Sequence, residues 1–326
     1  LFISSFFGVD FYKSFWSNEQ RFTGWLYLFH MFLFFIVVFC VFRRRKDWNN
    51  FLGLSVVVGG VMFGIAILSI YGIKFWGVDL GMRISGTIGN PIFLATYFIL
   101  NFIFALYLFF SARSRKIKMF WLGLAFILFC GIIFTQSVGA LFGTIGGAIV
   151  GLAYYGLLNK NKKAKIVVLA GLFLIIVLFS SIFIFKKSNF VNENKILNRI
   201  SDISIISGTA NTRIMNWQIA WSAIKERPIL GWGMGGYKTA FNQYYSPKFL
   251  KHSYYETWPD KPHNKILEVG IDAGFIGILI YLTIFLYGGF IIWKNNKKQK
   301  ISLAVSAVLT GGLVAYFVQN LFIFDT

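Results

Sequence analysis

The chain has 326 residues, of which 57% are hydrophobic, 20% aromatic and only 13% charged, against roughly 25% charged residues in an ordinary soluble domain. Its formal net charge is +20, yet sixteen of the 32 basic residues lie in four short stretches, 43–46, 113–118, 160–165 and 294–300. Short basic linkers between apolar runs are cytoplasmic loops of a membrane protein, so the excess charge reports topology and excludes a nucleic-acid partner.

Eight apolar stretches are read as spans: 25–42, 51–71, 91–110, 119–136, 138–158, 166–185, 267–293 and 301–324. Each is close to the length needed to cross a hydrocarbon core of about 30 Å. The expected fold is all-α and polytopic, with about eight spans. Placing the four basic linkers inside makes the spans alternate strictly. The N-terminal segment, the 72–90 loop, the link at 135–138 and the segment 186–266 then lie outside. Three regions follow: an N-terminal membrane part, 1–185, with six spans; a large extracytoplasmic loop, 186–266; and a C-terminal membrane part, 267–326. A first residue Leu and a last stretch "FIFDT" read as an internal fragment of a longer protein.

Cys40 and Cys130 both fall in apolar runs and are expected to be buried, reduced and structural. Of the three histidines, His30 lies in the first span and is expected to be a packed or hydrogen-bonded core histidine, and His252 is expected at the solvent or headgroup level. No histidine is accompanied by a carboxylate or cysteine cluster with ligand spacing, so no metal and no cofactor is expected. Ionisable residues in the spans reduce to Glu268 and Asp272 at the outer end of the seventh, which argues against an ion-coupled transporter.

The outer segment 186–266 carries twelve basic against five acidic residues, a surplus on the face where positive charge is normally avoided. Such a loop is either solvated or built for an anionic substrate. Within it, "SGTANTRIMNWQIAWSAIKERP" reads as an amphipathic helix capped by Thr209, Asn211 or Thr212 and stopped by Pro228. Ile214, Trp217, Trp221 and Ile224 give it an apolar stripe, and Arg213 falls in its first turn. Cations are unfavourable there, which hints at an anionic partner. "GWGMGG" at 231–236 has the letters of a dinucleotide fingerprint but no βαβ context; it reads as a flexible glycine turn.

Polar groups gather at the outer lip. "GMRISGTIGNP" brings Arg83 and Asn90, "TQSVGA" brings Ser137, and "PHNKILE" brings His263. Histidine is the side chain best suited to take a proton near neutral pH. Guanidinium forks bind phosphate oxygens bidentately.

Four ordered motifs carry a family resemblance. They are R-x-x-G-x-x-x-N-P (Arg83, Gly86, Asn90, Pro91), R-x-x-x-W-x-x-A (Arg213, Trp217, Ala220), P-x-L-G-W-G-x-G from Pro228, and H-N-x-x-L-E followed by G-x-x-G (His263, Asn264, Glu268, Gly274, Gly277). Over about 50–293 the chain resembles the O-antigen ligase and O-antigen polymerase superfamily of membrane glycosyltransferases. The resemblance implies a metal-independent transfer of a glycan from an undecaprenyl-diphosphate carrier to an acceptor hydroxyl. The acceptor would be a lipid, a glycan or a protein, and transfer would occur on the extracytoplasmic face of the cell membrane. It implies His263 as the base, Arg83 and Arg213 on the leaving diphosphate, and Asn264 and Glu268 as orienting groups. Asn90, Trp217 and Ser137 are supporting candidates. Many relatives read Ser-Arg-Gly where this chain has Ser137, Val138 and Gly139. Ligase, polymerase and protein oligosaccharyltransferase stay open, with a lipid or polysaccharide transporter and an envelope scaffold as readings from other classes.

Overall fold

The computed structural model describes residues 1–17, 22–70, 83–193, 198, 208–251 and 258–323. His252 and most of the 72–90 loop lie outside these. Among the described residues every regular element is helical. The α-helices are α1 (Phe2–Phe6), α2 (Phe11–Trp16), α3 (Trp25–Val41), α4 (Arg45–Ile70), α5 (Pro91–Ser111), α6 (Arg115–Phe134), α7 (Val138–Leu158) and α8 (Lys162–Ile184). They continue with α9 (Asn189–Glu193), α10 (Gly208–Glu226), α11 (Tyr237–Gln243), α12 (Lys265–Lys297) and α13 (Leu303–Asn320).

Six of these, α4, α5, α6, α7, α12 and α13, are long and apolar enough to cross a membrane, and the chain is a multi-pass membrane protein. Helix α3 is a shorter apolar helix of 17 residues, and α8 has 23 residues over the stretch read as the sixth span. The basic linkers become helix ends: Arg45, Arg115 and Lys162 open α4, α6 and α8, and Lys297 closes α12. Their long stems let the charge reach the headgroups while the helix stays in hydrocarbon.

The chain divides into two compact units. One contains Leu1–Arg43, Ile203–Leu286 and Asn320–Thr326; the other contains Arg44–Asp202 and Tyr287–Gln319. In the second unit α5 packs against α4 and α6 around Val56, Leu94, Phe98, Leu128 and Ile132. Buried Asn101 accepts from the Ser55 hydroxyl at 2.7 Å and donates to the Tyr97 carbonyl at 2.9 Å, as a polar group without water must. Helices α7 and α13 meet backbone to backbone. A Cβ on Gly143, Gly147 or Gly151 would stand 2.5, 2.3 or 2.8 Å from the carbonyl oxygen of Ala315, Gly311 or Ala307. Small residues every fourth position are what close helix approach in a membrane requires.

In the first unit, α12 is broken. Ala273 (φ −143°, ψ 18°) and Gly274 (φ 64°, ψ −163°) leave helical geometry. The break strands backbone groups that a helix would pair internally, and the turn after Pro228 takes them. Phe275 N–H donates to the Pro228 carbonyl at 2.7 Å, and the Ile271 carbonyl accepts from Trp232 N–H at 2.6 Å. The glycine turn at 231–236 is therefore pinned, not flexible. Its Gly231, Gly233 and Gly235 all have positive φ, and Trp232 donates its indole N–H to the Ala223 carbonyl at 2.8 Å. The N-terminal segment straps over the same turn. Val9 N–H reaches the Trp232 carbonyl at 2.9 Å, Ser14 donates to the Met234 carbonyl at 3.1 Å, and the Ser4 hydroxyl meets the carbonyls of Leu230 and Asp272.

Helix α10 differs from its sequence reading in start and face. It begins at Gly208, so Asn211 and Thr212 are interior residues and Arg213 lies in the second turn, not the first. Its buried side holds Thr212, Asn216, Ile219, Ala220, Ala223 and Ile224. It packs against Tyr237, Ala240 and Phe241 of α11 together with Trp232 and Ile271. The stripe is rotated because Asn216 has a partner inside: its Oδ1 accepts from the Tyr237 hydroxyl at 2.9 Å. Burial, with the negative charge of Asp260, pushes the Tyr237 phenol well above its ordinary pKa. Trp221 is exposed and meets the edge of Phe275 at 6.1 Å between centroids.

Two further expectations are corrected. His30 is hydrogen-bonded, its Nδ1 lying 2.8 Å from the Leu26 carbonyl of its own helix, but it is exposed and not in the core. Cys40 is exposed and Cys130 half-buried, both as free thiols. In a membrane helix the outward face meets lipid, so an apolar neighbourhood in sequence does not separate core from periphery.

A Cβ at Gly274 would lie 2.3 Å from the Ile229 carbonyl oxygen at a positive φ. Gly274→Ala is expected to cost about 3 kcal/mol, read as a lower thermal unfolding midpoint in lipid nanodiscs. Gly123→Ala, where a Cβ meets nothing within 4 Å, should leave the midpoint unchanged.

Candidate active site

In the first unit, the strand of chain leading into α12 holds the functional candidates. Asn264 is the cap: its Oδ1 accepts from Leu267 N–H at 3.2 Å and its carbonyl from Glu268 N–H at 2.9 Å. A short polar side chain before a helix satisfies amides that lack an intrahelical partner. The residue before it, His263, has φ 56°, a region that non-glycine residues occupy only when their surroundings hold them there. The surroundings here do. Trp217 of α10 donates its indole N–H to the Pro262 carbonyl at 3.0 Å, fixing the peptide that leads into His263.

The imidazole is oriented as well. His263 Nδ1 lies 3.2 Å from the Lys261 carbonyl, an oxygen that can only accept. The proton of the neutral ring therefore sits on Nδ1 and the lone pair on Nε2. Glu268, one turn into α12, is buried with Lys261 Nζ at 2.5 Å and Lys265 Nζ at 3.4 Å. A carboxylate survives burial when cations of this kind accompany it. Its ion pair ties it to the loop at Lys261, and with Trp217 at Pro262 it holds the two residues that precede His263.

The structure thus brings Trp217, His263, Asn264 and Glu268 together, with Arg213 one helical turn before Trp217. Lys261 and Lys265 were counted in the sequence only as loop charge. The signal for them was local: Lys265 stands three residues before Glu268 on one helix, the spacing at which opposite charges meet. Asp272 is likewise engaged, its Oδ1 accepting from Gly235 N–H at 3.2 Å.

In the second unit, Arg83 turns its guanidinium onto the 135–137 link. Nε donates to the Thr135 carbonyl at 3.0 Å and Nη2 to the Gln136 carbonyl at 3.4 Å. Ser137 follows as the buried residue that opens α7, so Arg83 and Ser137 are neighbours through this link. Asn90 is a helix cap: its Oδ1 accepts from Ile92 N–H at 2.8 Å ahead of Pro91. Among the described residues, no group of three or more His, Cys, Asp or Glu side chains has the arrangement of a metal site.

Residues 123–282 match the O-antigen ligase family. The chain carries an O-antigen ligase family domain. No curated protein matches the chain. The O-antigen ligase domain contains Arg213, Trp217, His263, Asn264 and Glu268, together with Ser137. Arg83 and Asn90 precede it, so the matched stretch is shorter than the 50–293 over which the motifs resemble the family. Membership implies activity of the ligase or glycosyltransferase type on lipid-linked glycans.

Glu268→Gln leaves two lysines beside a neutral amide in a buried setting. It is expected to cost about 3 kcal/mol in unfolding free energy, and adding Lys261→Met should recover part of the loss. Trp217→Phe, which deletes one hydrogen bond and keeps an aromatic ring, should cost about 1 kcal/mol. Thermal unfolding in nanodiscs reads all three.

Proposed function

We propose that the protein transfers a glycan from an undecaprenyl-diphosphate carrier to an acceptor hydroxyl on the extracytoplasmic face of the cell membrane. The observation that carries the reading is His263: an imidazole inside an O-antigen ligase domain, clamped by its neighbours, with its lone pair on Nε2. In this scheme the acceptor hydroxyl gives its proton to Nε2 and its oxygen attacks the anomeric carbon of the carrier-linked sugar. The sugar–phosphate C–O bond breaks and the diphosphate leaves with the electron pair.

Such a leaving group comes activated on the carrier, so no nucleotide is needed. Arg213 and Arg83 are the proposed guanidinium forks for its oxygens, since planar paired donors suit a diphosphate. Asn264 and Glu268 act as positioning groups through the loop they hold, Trp217 through the Pro262 peptide, and Asn90 and Ser137 through the helix starts beside Arg83. A positioned base contributes about 10² to 10⁴ in rate, and charge stabilisation of the departing diphosphate a comparable factor. The scheme also accounts for the basic surplus of the 186–266 segment, which would face an anionic headgroup.

His263→Ala is expected to lower transfer by about 10² to 10⁴ with folding intact. The measurement follows loss of undecaprenyl-diphosphate glycan in membranes holding the full-length protein, and the mass of whatever gains the sugar. Equal donor consumption by wild type and variant would sink the assignment. Wild-type activity should also fall on acidification, because a protonated imidazole cannot accept the hydroxyl proton.

A further inference from the structure

A second polar feature lies beside His263 and has no part in that scheme. Three remote segments of the first unit converge on a small niche: the end of α2, the start of α11 and the stretch before His263. Its lining includes Lys13, Lys238 and Lys261, with Asp260, Ser17 and Thr23. Neither Arg83 nor Arg213 lines it.

The Lys13 and Lys238 ammonium groups repel each other, Asp260 lines the same niche and Lys261 is ion-paired with Glu268, and each lysine reaches the niche from a different part of the chain. At Lys13 burial first, and then the Lys238 ammonium, lower the pKa, with Asp10 opposing. Lys238 also sits in the first turn of α11, the helix end that disfavours positive charge, and it stacks on the Trp258 ring at 5.3 Å. Both lysines are half-buried, so they are held in place and not waving in solvent. The enclosed volume is about 20 Å³, room for about one water. That is too little for a sugar ring and enough to seat part of a small charged group.

Lys261 ties the niche to the base. Lys261 lines the niche, its ammonium is held by Glu268 at 2.5 Å, and its carbonyl lies 3.2 Å from His263 Nδ1. Whatever fills the niche lies within one residue of the anchor of the imidazole.

We infer that Lys13, Lys238 and Lys261 form an oxyanion subsite beside His263, which takes a phosphoryl or carboxylate group. Its assignment to the substrate that offers its hydroxyl to His263 rests on the transferase reading; the binding itself does not. The subsite makes the enzyme selective for an acidic acceptor and draws on the N-terminal segment, which lies outside the family domain.

Inorganic phosphate is the first probe. Full-length protein in phosphatidylcholine nanodiscs is titrated with it and the thermal midpoint recorded, for wild type, Lys13→Gln/Lys238→Gln, and the exposed control Lys248→Gln. A saturable rise in wild type and control, weakened at least tenfold in the double variant, is the expected result. An unchanged affinity in the double variant, or no saturable response in wild type, overturns the subsite. Should the double variant fold poorly, Lys13→Arg/Lys238→Arg, which keeps the charge, must retain the response, and its loss there also counts against the subsite. Repeating the titration with phosphatidylglycerol in the disc separates two sources of the same chemistry. A response abolished by the anionic lipid places a headgroup in the niche, and a response that persists places a water-borne group there. Donor consumption by His263→Ala is scored separately, so failure of the transferase reading and failure of the subsite are told apart.

Discussion

A membrane leaves no backbone polar group without a partner, because hydrocarbon offers none. The break at Ala273 and Gly274 violates the helical solution to that constraint, and much of the first unit can be read as its repair. Pro228 and Trp232 supply the missing carbonyl and amide. To reach them the turn must press against α12 so closely that Gly231 and Gly274 leave no space for a Cβ, each within 2.3 Å of a carbonyl oxygen across the contact. The N-terminal strap then covers the outside of the turn. An irregular helix is thus locked by a second irregular element, and each would be unstable without the other.

The same locking gives His263 its geometry. Lys265 is the first residue of α12, so fixing that helix start fixes the loop feeding it. Trp217 grips the loop at Pro262 and Glu268 grips it at Lys261, the two residues that lead into His263. Neither grip touches the imidazole. A left-handed histidine would relax at once in a loose loop; here two anchors on the residues before it hold it, one a neutral hydrogen bond and the other a buried ion pair.

Much of this was legible in the residues and some was not. Apolar runs and basic linkers located the long helices because hydropathy and charge act locally along the chain. The PHN–E stretch stood out because polar residues at the lip of an apolar run need a reason. By contrast, "DAGFIG" looks like any small-residue stretch of a span, and nothing in it announces that the helix opens there. Lys13 could not be linked to Lys261 without the fold, since 248 positions separate them. The face of α10 misled because Trp and Ile were weighted over Asn216, whose burial depends on a tyrosine twenty-one residues later. His30 and Cys40 misled for a different reason: lipid, like a core, is apolar.

The opening in α12 has one more consequence, and it concerns depth. As an unbroken rod its 33 residues would measure about 50 Å, well beyond the hydrocarbon thickness of about 30 Å. Divided at Gly274, the 275–297 portion alone rises about 34 Å and is sufficient to cross. The 265–272 portion is then surplus to the crossing and is held at its end by Trp232 through the Ile271 carbonyl. Glu268 and Asp272 belong to that surplus, which explains how two carboxylates can sit in an apparently hydrophobic run.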